Sequence, residues 1–269
     1  VIKKGGEKVG QIPIQYLESI VCFTYVGISS SLMELSMDNN VSISFLSPRG
    51  KYRGRVEGRI KGNVLLRKEQ YRISENPQEA LGYAKGFTLG KIYNTIKVLQ
   101  RALRDYQDLE DSSSIRLAIE RLKESKEKVM ECSSIEALLG IEGDASRNYF
   151  QNFNALIRNP NFEFSSRIRR PPTDPVNAML SFGYGLLRVR VESGLETVGL
   201  DAYVGFLHQD RPGRSSLALD LMEELRAYMV DRFVLSLLNR NQVNENDFVQ
   251  KENGAVLFTE DGMKKFLDL

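Results

Sequence analysis

The sequence predicts an α+β multidomain protein, in which a small N-terminal β-sandwich or split sheet (residues 1–75) precedes an all-helical domain (residues 76–269). In the first part, short apolar segments alternate with turn residues, as in a sheet of short strands. In the second part, apolar residues recur with the period of helices. The pattern changes at Asn76-Pro77, where asparagine suits a helix N-cap and proline suits the first helical position.

The elements of the N-terminal part are predicted from its turns. Gly5-Gly6-Glu7 is a glycine turn of the kind that closes a hairpin, and Asn39-Asn40 ends a short helix that Ser29 or Ser30 caps. The predicted elements are strands at 1–4, 8–14, 20–26, 41–46 and 52–57, a helix through residue 37, and a last loop or strand from residue 62 to residue 67.

The helical part begins with a long helix from residue 77 to about residue 106. Gly82, Gly86 and Gly90 share one face of it. Each glycine costs a helix about 1 kcal/mol relative to alanine, so this face is predicted to lie close to another helix or backbone. Further helices are predicted at 112–130, from Ser133-Ser134 onward, from Asp174 or Asn177 to about residue 192, and from Ser215 or Ser216 onward.

The last of these helices gives the strongest functional signal. Asp220, Glu223, Glu224 and Asp231 fall on one stripe of it, while apolar residues cover most of the remaining surface. A helix that is apolar nearly all round is buried, and buried like charges need a cation. His208, the only histidine, comes shortly before this helix, and histidine with carboxylates is a ligand set for a divalent metal. A solvated acidic face with a structural histidine is the alternative.

Glu142 is a further acid in an apolar setting. It lies beside Ile141 and Gly143, and aromatic residues follow it at Tyr149 and Phe150. A salt-bridged acid at the edge of the core and a metal ligand both agree with this pattern.

Three basic segments are candidates for contact with DNA: the stretch from Arg49 to Arg59, the elbow at Arg169-Arg170, and the turn Arg211-Pro212-Gly213-Arg214. Cations alternate along the run from Arg49 to Arg55, which places them on one side of an extended segment, although a charged and solvated edge strand explains them equally. Arg169-Arg170 precede two prolines in a rigid elbow suited to phosphate contact. The predicted DNA-binding residues are Arg53, Arg59, Arg169, Arg170, Arg211 and Arg214.

Composition excludes several classes of protein. The net charge is only +2, so affinity for nucleic acid has to come from local patches. No apolar run approaches the ~18 residues that span a membrane, no secretory signal is visible, and Cys22 and Cys132 form no obvious pair, which together predict a cytoplasmic protein. There is no phosphate-binding glycine loop, and one histidine is too few for a zincin. The chain lacks an initiator methionine, so we expect it to be part of a longer polypeptide.

Several motifs cover essentially the whole chain. They are Gln11-Ile-Pro13, Phe45-Leu-Ser-Pro48-x-Gly50, Leu138-Leu-Gly-Ile-Glu142-Gly, Arg169-Arg170-Pro171-Pro172-Thr-Asp174-Pro175-Val-Asn177-Ala, and His208-x5-Arg214-x2-Leu217-Ala-Leu-Asp220-Leu-Met-Glu223-Glu224-Leu-Arg226. Each motif alone is weak, but together they are specific, and the chain resembles CRISPR-associated protein 1, the integrase-nuclease subunit of spacer acquisition. The resemblance is closest to the type I systems, subtype C among them.

The resemblance implies an N-terminal β-sandwich and a C-terminal all-helical domain that carries a metal site. The family's ligands correspond to Glu142, His208 and Glu223, and Asp220 corresponds to a second acid beside the ion. The family often has aspartate where this chain has Glu223, and either residue supplies a carboxylate. The implied cofactor is Mn²⁺ or Mg²⁺.

The implied reaction is attack by a prespacer 3′-hydroxyl on a phosphodiester at the edge of a CRISPR repeat. The implied partners are DNA, a second copy of the chain in a homodimer, and a small second CRISPR adaptation protein in a heterohexamer, with no membrane. Two alternatives are a stand-alone metal-dependent nuclease or resolvase acting on branched DNA, and a non-catalytic DNA-binding scaffold whose acidic stripe is structural.

Overall fold

The computed structural model describes residues 1–23, 25–47, 52–56, 58, 63–106 and 111–268. The N-terminal region begins with an antiparallel hairpin of β1 (Ile2–Lys4) and β2 (Glu7–Gly10), as predicted. Gly5 and Gly6 turn the chain between them with φ of 60° and 91°, a conformation that side chains other than glycine rarely adopt.

The second sheet of the N-terminal region has the order β3-β4-β5. Strand β3 (Ser19–Cys22) pairs in parallel with β4 (Ser42–Leu46), and helix α1 (Ser30–Asp38) makes the crossover between them. Strand β5 (Tyr52–Val56) returns antiparallel to β4. Ser29 caps α1 by accepting a hydrogen bond from the N–H of Leu32 at 3.2 Å. The hairpin and the mixed sheet share no strand, so this is the split arrangement that the sequence allowed, and packing of the two as a sandwich stays a prediction.

The prediction of a loop or strand through residue 67 was wrong over its described part. Helix α2 spans Val64–Glu75, and the side chain of Asn63 caps it by accepting from the N–H of Leu66 at 3.3 Å. The run Val64-Leu-Leu66 suggests a strand, but these side chains lie largely exposed and the helix instead buries Gln70 and Ile73, three residues apart. The buried face of α2 is therefore partly polar, so apolar residues do not recur along it with the 3.6-residue period that predicts a helix.

The long helices of the C-terminal part form where the sequence predicts them. They are α3 (Pro77–Asp105), α4 (Ser112–Glu131), α5 (Ile135–Gln151) and α6 (Pro175–Thr197). The side chain of Asn76 accepts from the N–H groups of Gln78 and Glu79, and Ser134 and Asp174 cap α5 and α6 in the same way. The peptide bond between Arg170 and Pro171, just before α6, is cis.

The helix predicted from Ser215 or Ser216 is interrupted by a π turn. Helix α7 (Ser216–Leu225) continues into one π-helical turn (Arg226–Asp231) and then into α8 (Arg232–Asn239). A hairpin of β6 (Phe248–Gln250) and β7 (Val256–Phe258) and the helix α9 (Glu260–Asp268) complete the described chain. Where the structure describes it, the C-terminal part is therefore helical apart from this hairpin, and not all-helical as predicted.

One hydrophobic core joins the helices of the C-terminal part. Helix α3 lies at its centre, because it packs against α4, α5 and α7. The largest fully buried side chains of this core include those of Ile92, Leu99, Leu122, Phe153, Phe164 and Met179. Across the described residues, none of the helices has the length and apolar character that crossing a membrane requires.

The glycine face of α3 makes the predicted close approach at one of its three positions. A Cβ atom on Gly90 would lie 2.8 Å from Oε2 and 2.9 Å from Cβ of Glu224, on α7. Added Cβ atoms on Gly82 and Gly86 would meet nothing within 4 Å. Gly90 therefore sets the spacing between α3 and α7.

Candidate active site

Asp220 holds the loop that carries His208. One carboxylate oxygen, Oδ2, accepts from the N–H groups of Phe206 (2.6 Å) and Leu207 (2.9 Å). The other, Oδ1, accepts from the backbone N–H of His208 at 2.9 Å and lies 2.6 Å from its ring Nδ1. A carboxylate partner keeps the proton on Nδ1, so the second ring nitrogen, Nε2, has the lone pair that a metal ligand needs.

Local backbone geometry explains how this loop packs so tightly onto α7. A Cβ atom on Gly205 would lie 2.8 Å from Cβ of Ser216 and 2.9 Å from Oδ2 of Asp220, so only glycine fits there. After His208 the chain turns at Pro212-Gly213, where Gly213 has φ of 76° and the N–H of Arg214 bonds the carbonyl oxygen of Arg211 at 2.9 Å.

Glu142 and Glu223 are brought together by Lys91, a residue that the sequence did not single out. The ammonium Nζ of Lys91, on α3, lies 2.6 Å from Oε2 of Glu223 on α7 and also contacts Oε1 of Glu142 on α5. The exposed fraction of the side chain is only 13% for Lys91, 4% for Glu223 and 20% for Glu142. The hydroxyl of Ser146 donates to Oε1 of Glu142 at 2.9 Å.

The carboxylate of Glu223 is held ionised by the cations around it. Burial alone raises its pKa, but the charges of Lys91 and Arg226 and the hydrogen bond from Lys91 outweigh that effect, and the net result is a pKa of about 2. The guanidinium Nη1 of Arg226 lies 3.2 Å from Oε1 of Glu223.

The residues present fit a divalent ion by their chemistry. Two carboxylates and one imidazole with a lone pair are a donor set that suits Mn²⁺ and tolerates Mg²⁺. At the place where the two carboxylates converge, the ammonium of Lys91 supplies the positive charge. Between residues 63 and 268, outside the gap at 107–110, no three His, Cys, Asp or Glu side chains are arranged closely enough to enclose an ion. The ligand assignment of Glu142, His208 and Glu223, with Asp220 as a catalytic acid, therefore stays a prediction.

The π turn places a second buried acid beside this cluster. Asp231 accepts a hydrogen bond from the hydroxyl of Tyr184 at 2.5 Å. The guanidinium groups of Arg167 and Arg226 each lie 5.3 Å from the centroid of the tyrosine ring. Burial raises the pKa of Asp231 to about 6, although Tyr184 and the two arginines oppose the shift. Asp231 and Glu223 line one cavity of about 20 Å³.

The predicted DNA-binding arginines lie in different settings. Arg169 is exposed and lines the same small cavity as Lys91 and Glu223, whereas its neighbour Arg167 turns inward and donates to Oδ1 of Asn177 at 2.7 Å. Exposed or half-exposed positions are also found for Arg53, Arg170, Arg211 and Arg214. Arg59 lies outside the described residues.

One member of the basic run does not lie on a solvated edge, because the side chain of Arg55 is only 12% exposed. Arg55 contacts Glu196 and lies 3.9 Å from Oε2 of Glu192, both on α6. Its guanidinium therefore joins the N-terminal sheet to the helical part.

Comparison with known proteins gives a consistent result. The profile of the family described as CRISPR associated protein Cas1 matches residues 1–269. A CRISPR-associated endonuclease Cas1 of Rhodospirillum rubrum is 44% identical over 273 residues, which cover 99% of this chain and 78% of that protein.

Two solved structures share the fold. A casposase bound to an integration product superposes with a TM-score of 0.80 at 28% identity, over 93% of this chain and 68% of that one. A Cas1 protein from Thermotoga maritima gives 0.79 at 27% identity, over 96% of this chain and 79% of that one.

Fold and site define a class of proteins in which a small N-terminal β region precedes a helical part. In this class, helices distant in sequence bring two carboxylates onto one cation, and a third carboxylate holds a loop histidine. The comparisons narrow that class to a single family. The chain belongs to the Cas1 family of CRISPR-associated proteins.

Proposed function

We propose that this protein is a metal-dependent DNA integrase and endonuclease of CRISPR adaptation. In the proposed reaction, the 3′-hydroxyl of a prespacer attacks a phosphodiester at the edge of a CRISPR repeat. Its oxygen forms a new bond to phosphorus, the bond from phosphorus to the repeat strand's own 3′ oxygen breaks, and the repeat strand is left with a free 3′-hydroxyl. The observation that carries the proposal is the convergence of Glu142 and Glu223 on one cation, together with Asp220, one helical turn before Glu223, which holds Nδ1 of His208. The names of the relatives, endonuclease and casposase, support the same chemistry.

Glu142, Glu223 and His208 would hold the divalent ion, Mn²⁺ or Mg²⁺. Such an ion lowers the pKa of an attacking hydroxyl and neutralises charge that develops on the phosphate. The residues around it act on position and charge. Asp220 fixes the ring of His208, and Arg226 keeps Glu223 ionised. Arg169, which is exposed and lines the small cavity beside Glu223, would contact a DNA phosphate at the surface.

The proposed partners follow from membership in the Cas1 family. Arg53, Arg59, Arg169, Arg170, Arg211 and Arg214 would contact DNA phosphates. We also propose a homodimer, the small second adaptation protein as a partner in a heterohexamer, and a boundary between two domains at Asn76. Membership in the type I systems, subtype C, is part of this proposal.

An integration assay tests the proposed function. A labelled prespacer, a supercoiled plasmid with the repeat, Mn²⁺ and the partner protein are incubated with the wild-type chain, with His208→Ala and with the exposed control Arg147→Ala. We expect label joined to the plasmid with the wild type and the control, and none with His208→Ala. Activity that survives His208→Ala would show that the site is placed wrongly.

The products separate the two alternatives from the integrase. Shortened strands without joined label indicate hydrolysis, which is the reaction of a stand-alone nuclease or resolvase. Binding of DNA without any strand chemistry, with or without Mn²⁺, indicates a scaffold.

A further inference from the structure

The ammonium of Lys91 links three helices at the proposed metal site. It contacts Oε1 of Glu142 on α5 and lies 2.6 Å from Oε2 of Glu223 on α7, while Lys91 itself belongs to α3. Two largely buried carboxylates close to each other repel unless a cation compensates them. Lys91 therefore supplies the charge that keeps the two acids together.

The backbone around Lys91 is fixed, whereas its side chain is long. Gly90 packs directly against Glu224, and the side-chain amide of Asn94 donates to the carbonyl oxygen of Glu224 at 2.7 Å. These contacts lock α3 against α7 on both sides of Lys91. The four-carbon stem of a lysine nevertheless has several rotatable bonds, so its ammonium can move without any shift of the helix.

A divalent ion that binds both acids has to use the carboxylate oxygens that the ammonium now contacts. Two cations at one pair of carboxylates repel each other, so one of them has to leave. On the basis of the proposed function, we infer that a divalent metal displaces the Lys91 ammonium from Glu142 and Glu223, and that the released ammonium then binds a phosphate of the DNA. Lys91 is thus a positioning residue that exchanges partners.

The exchange couples metal loading to DNA binding. The cavity beside Lys91 is lined by Arg169 and Arg226, so the released ammonium remains among cations, and a DNA phosphate at the exposed Arg169 would compensate the added charge. Because coupling between two ligands is reciprocal, DNA should also strengthen metal binding.

Three variants of the full chain test the exchange by Mn²⁺ titration calorimetry. Lys91→Met removes the competing charge, Lys91→Arg keeps it, and Lys85→Met is the matched control, because Lys85 lies on the same helix and donates to the carbonyl oxygen of Met130 instead. We expect Lys91→Met to bind Mn²⁺ roughly tenfold more tightly than the wild type, and Lys91→Arg and Lys85→Met not to gain affinity. Unchanged or weaker binding by folded Lys91→Met overturns the inference.

A second measurement uses the wild type and needs no variant to fold. The protein is labelled with an amine-reactive reagent with and without saturating Mn²⁺, and the labelling of each lysine is read by mass spectrometry. The labelling of Lys91 should rise severalfold with Mn²⁺, while that of Lys85 stays constant. Lys91 labelling that stays low at saturation overturns the exchange.

The two proposals fail in different ways. Mn²⁺ binding that His208→Ala does not weaken overturns the metal site and the exchange together. Mn²⁺ binding that depends on His208 but leaves Lys91 labelling unchanged overturns the exchange alone.

Discussion

Asp220 provides the sharpest test of how the active-site loop is held. The change is Asp220→Asn, which preserves shape but replaces one carboxylate oxygen by an NH₂ group. In the wild type, Oδ1 and Oδ2 together accept from three backbone N–H groups, of Phe206, Leu207 and His208, and Oδ1 also contacts the ring of His208. An amide has a single acceptor oxygen, so at least two of these four contacts are lost and N–H donors face an NH₂ group.

The expected magnitude follows from burial. The side chain of Asp220 is 0% exposed, so water cannot replace the lost contacts. A hydrogen bond to a charged group contributes about 1.5–3 kcal/mol, so two lost bonds predict a decrease of about 3–6 kcal/mol in the free energy of unfolding. That is a large part of the roughly 5–15 kcal/mol by which a domain is stable.

Urea unfolding followed by circular dichroism measures this decrease. The matched control is Asp144→Asn, because Asp144 is 74% exposed and its ion pair with Arg147 lies at the surface, where removal should change stability by less than about 1 kcal/mol. If Asp220→Asn is as stable as the control, the loop is not held by this carboxylate and the reasoning is refuted.

Three further predictions concern pH, packing and charge. The pKa of the Asp231 carboxyl is raised to about 6 from an ordinary value of 3.8, so the folded state binds this proton more tightly than the unfolded chain does. The protonated carboxyl therefore adds about 3 kcal/mol to the free energy of unfolding at low pH, and this stabilisation is lost as the pH rises from about 4 to about 6. Urea midpoints at several pH values should therefore fall over this window in the wild type by more than in Asp231→Asn, and parallel curves would contradict the assignment. Gly90→Ala should lower the free energy of unfolding by about 1–3 kcal/mol because its Cβ meets Glu224, whereas Gly86→Ala, which meets nothing within 4 Å, should raise it by up to about 1 kcal/mol. Equal effects of the two alanines in thermal melts would refute the close approach of α3 and α7. Finally, Arg169→Ala should reduce the slope of log K for DNA binding against log salt by about 0.9, as measured by fluorescence anisotropy, while the exposed Arg147→Ala leaves the slope unchanged.

Local signals were sufficient to predict most helices. Asn76, Ser134 and Asp174 each cap a helix where the sequence places one, because a cap and its helix lie within four residues of each other. The same argument failed at α2, where the exposed Val64-Leu-Leu66 imitates a strand and the buried face contains the polar Gln70. The π turn has no comparable local signal, since an apolar stripe continues through it.

The sequence indicates the acidic residues of the candidate site, but it does not indicate the lysine and the arginine that pair with them. Glu142, Asp220 and Glu223 stand out because each is an acid in an apolar stretch. Lys91 and Arg226 do not, because a lysine or arginine at a helical position usually reaches solvent along an apolar stem. Only the packing of α3 against α5 and α7 turns Lys91 inward, and that packing joins residues far apart in sequence. The role of Asp220 as the anchor of three N–H groups likewise depends on the folded loop.

The separation in sequence of the groups that Lys91 joins has a consequence for the synthesis of the protein. Lys91 is 51 residues from Glu142 and 132 residues from Glu223, and these acids converge only after helices from both halves of the chain have packed. Since α3 leaves the ribosome long before α7, a chain that has been made only as far as residue 222 contains one of the two acids and lacks the other. Under the proposed function, the pair of carboxylates that the reaction needs is therefore assembled only after α7 has been made and packed.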